Sequence, residues 1–374
     1  MRRACIFWAG LRCSTWLLLG AGVWNSLNYT VAVLIVTCPC ALGLAVPVVQ
    51  VVATGRLLRR GILVKSADGL ERLAEADTVV FDKTGTLTLG RLELANRAGV
   101  RDAQLAVAAS LARSSRHPLS QALVRAAGLS VAHTVEDVRE QPGMGLEGRI
   151  DGRSVRLGNR DWIGVTGESD ESHMGSELWF RHGEEAPVRF LFTDEVRTDA
   201  RETVNRLKEM GFAVILLSGD REGPVTAVAH ELGIADYQWG ARPDAKIARL
   251  KELGASGACI LMVGDGLNDA PALRAAHVSM SPASATDISQ IAADYVFQGK
   301  ALAPVLDAIA VARKARRLVY ENFGLALAYN AVAIPLAMAG YVTPLIAAVA
   351  MSSSSITVTL NSLRLNLRDT KGGY

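Results

Sequence analysis

From Ser14 to Gly55 the chain carries no Asp, Glu, Lys or Arg. Such a run exceeds the roughly 20 residues of one bilayer crossing and suits two helices, with a break near Trp24-Asn25-Ser26. Arg12 falls where the amino-terminal half of the first helix belongs, which leaves that helix incomplete. The second, roughly Leu27 to Thr54, is long enough to span with tilt. A hydrophobic content of 50% in 374 residues fits a chain partly embedded in lipid, with material for two or three domains. The opening Met-Arg-Arg precedes apolar residues, yet no small-residue cleavage site leads into a secreted domain, so a signal peptide is rejected. A net charge of +3, with no Lys/Arg block interleaved with aromatics, argues against nucleic acid as a partner. Five cysteines (Cys5, Cys13, Cys38, Cys40, Cys259) are too scattered for a disulfide framework and imply reduced thiols.

Thr37-Cys38-Pro39-Cys40 lies inside the second span, with Pro47 beyond. Proline removes a backbone donor and frees carbonyls, which a bilayer tolerates only where protein or a cavity satisfies them. Interrupted helices of this kind mark ion sites. Two thiols at that depth suit Cu(I) and, less selectively, zinc-like ions, whereas the plainer alternative is two small apolar side chains packing a helix interface. Arg56, Arg59, Arg60 and Lys65 follow the span and put that end on the cytoplasmic side.

The β-branched run Thr78-Val79-Val80-Phe81 reads as a buried strand ending in Asp82, followed by Lys83-Thr84-Gly85-Thr86-Leu87-Thr88. A carboxylate that attacks a phosphoryl group needs a cation beside it, small residues that admit phosphate oxygens to backbone N–H groups, and hydroxyls to hold them. Lys83, Thr84, Gly85 and Thr86 meet those needs, with Asp82 the nucleophile. This stretch resembles the phosphorylation motif of P-type ATPases, and Cys-Pro-Cys resembles the membrane metal site of their heavy-metal branch.

The resemblance extends along most of the chain, about residues 14 to 365, and corresponds to the carboxyl-terminal half of a whole pump. It implies an α/β haloacid-dehalogenase-like, doubly wound parallel-sheet phosphorylation domain in two parts, 66–92 and 189–300. Between them, 93–188 forms an inserted α+β nucleotide-binding domain. Transmembrane helices lie in 1–56 and 318–362. Within the insertion, His117-Pro118, Gly143-Met144-Gly145 and Asn159 resemble the ATP contacts of heavy-metal pumps. The glycines alone are weak evidence, because they lack the strand-to-helix setting of a dinucleotide fold. Arg116 and Ala112 stand where that family often has glutamates, a departure that bears on adenine selectivity. Thr166-Gly167-Glu168 matches a dephosphorylation motif, but in the wrong place, and is read as a surface turn.

Further along, apolar runs end in Ser218-Gly219-Asp220 and, after Val263, in Gly264-Asp265. Carboxylates and hydroxyls at strand ends gather at one rim of a parallel sheet and suit a hard cation such as Mg²⁺. The resemblance implies catalytic roles for Asp82, Lys83, Thr84, Asp220 and Lys246, with Asp82, Thr84, Asp265 and Asp269 around Mg²⁺. Thr193-Asp194-Glu195-Val196-Arg197-Thr198-Asp199 resembles another stretch of the family, with Thr198 in place of its proline.

Arg313, Lys314, Arg316 and Arg317 announce re-entry into the membrane, and about Val319–Tyr341 and Val342–Leu360 read as two further spans. Tyr329, Asn330, Met351 and Ser355 resemble signatures of monovalent-copper pumps and join Cys38 and Cys40 as expected Cu⁺ ligands. The implied activity is ATP-driven Cu⁺ translocation through an aspartyl phosphate. The setting is a bacterial inner membrane, surrounded by membrane lipid, with the large domain cytoplasmic. A copper chaperone and oxidase-assembly proteins are implied partners. Ala45-Val46-Pro47 resembles the subgroup that supplies copper for oxidase assembly and is named for nitrogen fixation. Lacking an actuator domain, a chain of this extent is expected to behave as a truncated pump. A membrane-tethered phosphatase and a non-catalytic copper-binding protein remain the rival readings.

Overall fold

The computed structural model describes residues 15–18, 20, 22–38, 40–128, 133–165, 176–265, 269–285 and 287–367. The chain forms two compact units: Met1–Glu75 with Asp307–Tyr374, which is helical, and Ala76–Leu306, which is built on sheets. Thr166-Gly167-Glu168 lies outside the described residues.

The helical unit begins with α1 (Val23–Val36) and α2 (Cys40–Arg59), followed by the short strand β1 (Ile62–Val64) and α3 (Gly69–Glu75). The charge-free stretch therefore breaks elsewhere than expected. Trp24-Asn25-Ser26 lies within α1, and the interruption before it falls at Gly20 and Gly22, whose φ of 78° and 76° suits only glycine readily. The expected Leu27–Thr54 helix is two helices. Thr37 N still reaches Val33 O, but Cys38 N reaches only Ile35 O, and the next residue is a proline with no N–H to offer.

In chain order the sheet unit contains β2 (Thr78–Asp82), β3 (Thr88–Leu94), α4 (Asp102–Ala112), α5 (Pro118–Ala127), β4 (Glu136–Gln141), β5 (Gly145–Ile150), β6 (Arg153–Gly158) and α6 (Arg160–Ile163). There follow β7 (Ser176–His182), β8 (Val188–Val196), α7 (Ala200–Glu209), β9 (Ala213–Leu217), α8 (Glu222–Leu232), β10 (Asp236–Gln238) and α9 (Pro243–Ala255). The last elements are β11 (Ile260–Val263), α10 (Ala270–Ala275), β12 (Val278–Pro282), α11 (Asp287–Ala292) and β13 (Tyr295–Phe297). Six of these strands pair in parallel in the order β13-β12-β11-β2-β9-β10. The central strand β2 is buried along its whole length, as a parallel strand covered on both faces must be. Val80, Ile215, Leu217, Ile260 and Met262 pack with Leu250 of α9 and Ala272 and Leu273 of α10 to fill one face.

Between β2 and β9 the chain leaves to build a second, antiparallel sheet in the order β3-β8-β7-β6-β5-β4. The sheet takes in Thr88 and Val196, so its strands extend beyond the 93–188 span drawn from sequence. Phe180, Phe190 and Phe192 join Leu105, Leu111 and Leu123 of α4 and α5 in a separate core. A bulge interrupts the pairing of β3 with β8 between Thr88 and Leu92, where Gly90 has φ 63°.

The chain then runs into α12 (Ala303–Met338), a single helix of 36 residues, and α13 (Pro344–Leu363). Within the helical unit, Ala41 and Ala45 of α2 meet Ala326 of α12 and Val358 of α13, small side chains that let helices approach closely. Among the described residues two stretches, Val23–Arg59 and Pro344–Asn366, are long and apolar enough to cross a membrane. The expected Val319–Tyr341 span falls in α12, where Glu321, Asn322 and Asn330 dilute the apolar character.

Phe192 is fully buried in the insertion's own core. Phe192→Ala is expected to cost about 3–5 kcal/mol. Calorimetry of the detergent-solubilised chain should show the lowered unfolding temperature.

Candidate active site and membrane cavity

Register brings the strand ends together. Val263 lies level with Phe81, and Leu217 with Asp82, so Asp82, Ser218 and Asp265 emerge at one rim of the parallel sheet. Lys246 comes from the first turn of α9, whose start is set by Pro243 at a position that needs no N–H. Its Nζ lies 2.5 Å from Asp82 Oδ1 and 2.6 Å from Asp269 Oδ1, all three side chains being nearly excluded from solvent. Asp82, Asp265 and Asp269 place carboxylate oxygens within 4.8 Å of one another.

The loop after Asp82 departs from helical backbone at Thr84 and Gly85. A Cβ on Gly85 would stand 1.5 Å from Asp265 Oδ2, and Gly85 has φ 69°, so contact and conformation both demand glycine here. Lys83 is buried and pairs with Asp220 at 2.6 Å, while the exposed Thr84 donates from Oγ1 to the same Asp220 oxygen at 3.5 Å. Thr86 Oγ1 is buried without a hydrogen-bond partner. Thr88 Oγ1 donates to Asp194 Oδ2 at 2.6 Å, and that carboxylate also faces Lys83 at 4.0 Å. The whole catalytic set expected from sequence thus meets at one place. Asp194 and Thr88 lie against it as well, although no site role had been expected for either. The acidic segment directly after an apolar strand was the available signal for Asp194.

In the insertion, His117 caps α5, its Nδ1 accepting from Leu119 N at 3.3 Å, with Pro118 at the first helical position. His117 N donates to Ser115 Oγ, and Ser115 Oγ donates to Glu140 at the end of β4. From there β4 turns through Gly143 into β5, where Gln141 pairs with Gly145. Asn159 Nδ2 donates to Gly143 O at 3.0 Å and its Oδ1 accepts from Trp162 N at 2.8 Å. A Cβ on Gly145 would stand 2.3 Å from Leu157 O. A continuous chain of hydrogen bonds and strand pairing therefore links His117, Pro118, Gly143, Gly145 and Asn159. Of these, His117, Pro118, Gly143 and Asn159 are exposed.

In the helical unit a cavity of about 10 Å³, room for one water-sized body, is lined by Cys38, Ala41, Leu42, Tyr329, Asn330, Met351 and Ser354. Tyr329 Oη and Asn330 Oδ1 are buried without a hydrogen-bond partner. Cys40 does not line the cavity. Ser355 departs from expectation: its hydroxyl turns back to Met351 O at 3.3 Å, and Ser354 lines the cavity instead. One residue along a helix is a rotation of about 100°, enough to exchange a lining side chain for one turned away.

The haloacid dehalogenase-like hydrolase family matches residues 76–277. The chain belongs to that family. Nitrogen fixation protein FixI of Bradyrhizobium diazoefficiens is 47% identical over 353 residues, covering 93% of this chain and 48% of its own length. A copper-exporting P-type ATPase of Mycobacterium tuberculosis is 38% identical over 374 residues, 96% of this chain and 48% of its own. The crystal structure of a zinc-transporting PIB-type ATPase in its E2.Pi state superposes with a TM-score of 0.86 at 28% identity, covering 98% of this chain and 62% of that one. This member of the dehalogenase-like family is thus related to a copper-exporting P-type ATPase and to the nitrogen fixation protein FixI, and spans about half the length of the curated relatives it matches.

For this dehalogenase-like site, the donor set fits Mg²⁺: hard carboxylate oxygens from Asp82, Asp265 and Asp269 converge beside a loop with no side chain at Gly85. Burial, reinforced by Asp269, pushes the Asp82 carboxyl up to about 7 against the pull of Lys246. The same two causes push Asp265 up to about 6. Burial works against the charge on Lys246, but Asp82 and Asp269 together push its pKa up.

Without metal, Asp82 and Asp265 bind protons more tightly folded than unfolded, so their contribution to stability falls as pH rises from about 4 through 7. Mg²⁺ needs both deprotonated. Thermal-shift titrations should therefore show Mg²⁺ raising the unfolding temperature far more at pH 8 than at pH 5.5, with the difference lost in Asp265→Asn.

Proposed function

We propose that the chain serves ATP-driven translocation of monovalent copper, with Asp82 accepting the terminal phosphoryl group of ATP. One observation carries the phosphoryl-acceptor reading: Lys246 occupies Asp82 Oδ1 at 2.5 Å, which leaves Oδ2 to attack. The Oδ2–P bond forms as the bridging P–O bond to ADP breaks, giving an acyl phosphate on Asp82. Lys246 offsets negative charge at the acceptor, and Lys83 and Thr84, both on Asp220, offer donors to the phosphoryl oxygens. Asp82, Asp265 and Asp269 would hold Mg²⁺, which when bound would supply charge neutralisation for those oxygens. ATP is presented by the insertion through His117, Pro118, Gly143, Gly145 and Asn159.

Copper is favoured over zinc by the cavity: among the described residues a thiol, a thioether and neutral oxygens line it, without a carboxylate. Basic residues after α2, around the start of the apolar part of α12 and beyond α13 support a cytoplasmic position for the sheet unit, and a bacterial inner membrane is the setting this reading assigns. A copper chaperone and oxidase-assembly proteins fit as partners of such a pump. The dehalogenase-like fold also hosts phosphatases, but the position two residues after the nucleophile is Thr84, which offers no carboxyl for acid–base work.

Terminally radiolabelled ATP should give acid-stable, hydroxylamine-labile label that Asp82→Asn abolishes and Lys246→Ala slows by roughly 10²–10³-fold. Label that persists in Asp82→Asn would sink the assignment, and turnover of small phosphate esters without ATP would move it to a phosphatase. In parallel, Cu(I) titrated against a chromogenic chelator should bind one equivalent per chain, lost when Cys38 and Cys40 are both alanine. Retention of that equivalent would remove copper from the reading.

A further inference from the structure

The segment after β8 grips two parts of the sheet unit at once. Arg197 is 4% exposed, and its guanidinium forks: Nη2 donates to Gly85 O at 2.7 Å and Nη1 to Lys300 O at 2.6 Å. Its backbone N donates to Leu87 O at 2.9 Å, a second hold on the loop that follows Asp82. Two residues on, Asp199 Oδ2 accepts from Leu302 N at 2.6 Å and Ala303 N at 2.9 Å. Ala303 opens α12, and a helix start leaves N–H groups that a carboxylate both satisfies and stabilises through the helix dipole. Asp199 Oδ1 is buried without a partner, so the side chain is committed to this one task.

The Gly85 peptide has no slack on its other side, since even a methyl group there would collide with Asp265. A phosphoryl group on Asp82 enters beside Asp265 and Gly85, and any accommodation at Gly85 reaches its carbonyl, which Arg197 holds. We infer that Arg197 and Asp199 are positioning residues that convey the phosphorylation state of Asp82 to the head of α12, the helix that further along carries Tyr329 and Asn330. The inference rests on Asp82 as the phosphoryl acceptor. A guanidinium is required at 197 because a lysine ammonium lacks the planar fork that holds two carbonyls in fixed geometry. The carboxylate is required at 199 because one oxygen serves two successive amides.

Beryllium fluoride with Mg²⁺ serves as the phosphoryl probe, added to the full chain in detergent. Binding is followed by thermal shift, and the head of α12 by hydrogen exchange at Leu302 and Ala303. In the parent chain the probe should raise the unfolding temperature and change exchange at those amides. Arg197→Lys should keep the thermal shift while the exchange response shrinks roughly three- to tenfold, the size expected of a lost coupling of this kind. Asp199→Asn should loosen Leu302 and Ala303 before any probe is added and respond no further, which gives a second reading should Arg197→Lys fold poorly. An undiminished response in either variant, or a parent chain that binds the probe with no change at Leu302 and Ala303, overturns the inference. A parent chain with no thermal shift, indistinguishable from Asp82→Asn, overturns the acceptor assignment beneath it instead.

Discussion

One ammonium group makes the catalytic rim possible. Asp82 and Asp269 are both almost wholly withdrawn from water, and with Asp265 their oxygens crowd within 4.8 Å. Like charges in so dry a place repel strongly, and burial together with the neighbouring Asp269 favours the protonated form of Asp82 and of Asp265. Lys246 between Asp82 and Asp269 lets the group persist, yet covers only one oxygen of each. Its own placement depends on the turn into α9, where Ala241 N reaches Ser218 O and ties the approach to the end of β9. The sheet, the helix and the acceptor are thereby held to one another through a few directed contacts.

Much of that rim was legible in the chain as written. Buried parallel strands announce themselves as short β-branched runs, and the residue that ends each run projects from the same edge. Asp82, Ser218 and Asp265 could be gathered on that ground alone. Asp194 could not, because its partner Thr88 is 106 residues away and only the pairing of β3 with β8 brings them to 2.6 Å. The choice between Ser354 and Ser355 was equally out of reach: four serines in a row carry no phase, and the phase of α13 is set by what it packs against. The break before α1 was misplaced because polar Trp24-Asn25-Ser26 looks like a boundary. Ser26 instead satisfies its hydroxyl by donating to Gly22 O and is buried, and the two glycines do the interrupting.

In the helical unit polar groups sort into two kinds. Asn322, fully buried, donates to Ala45 O and Ser362 Oγ and accepts from Asn361 Nδ2, and Arg364 joins through Glu321 and Asn361. These are satisfied and bind α2, α12 and α13 to one another. Tyr329 and Asn330, seven and eight residues further along α12, are buried with a polar atom left over and line a cavity beside Cys38 and Met351. A helix that spends its polar residues so differently at two levels is fastened at one and receptive at the other.

The nucleotide insertion joins the rest of its unit through β3 and β8, which are paired to each other from Thr88 and Val196 onward and locked by Thr88 Oγ1 on Asp194. Its tether is thus a two-stranded ribbon rather than two separate strings. Such ribbons twist readily and resist splaying, and the bulge at Gly90 concentrates the softness near the root. Two paired strands leave the insertion fewer independent directions than two loose connections would, and at their root stands Asp194, the carboxylate that also faces Lys83.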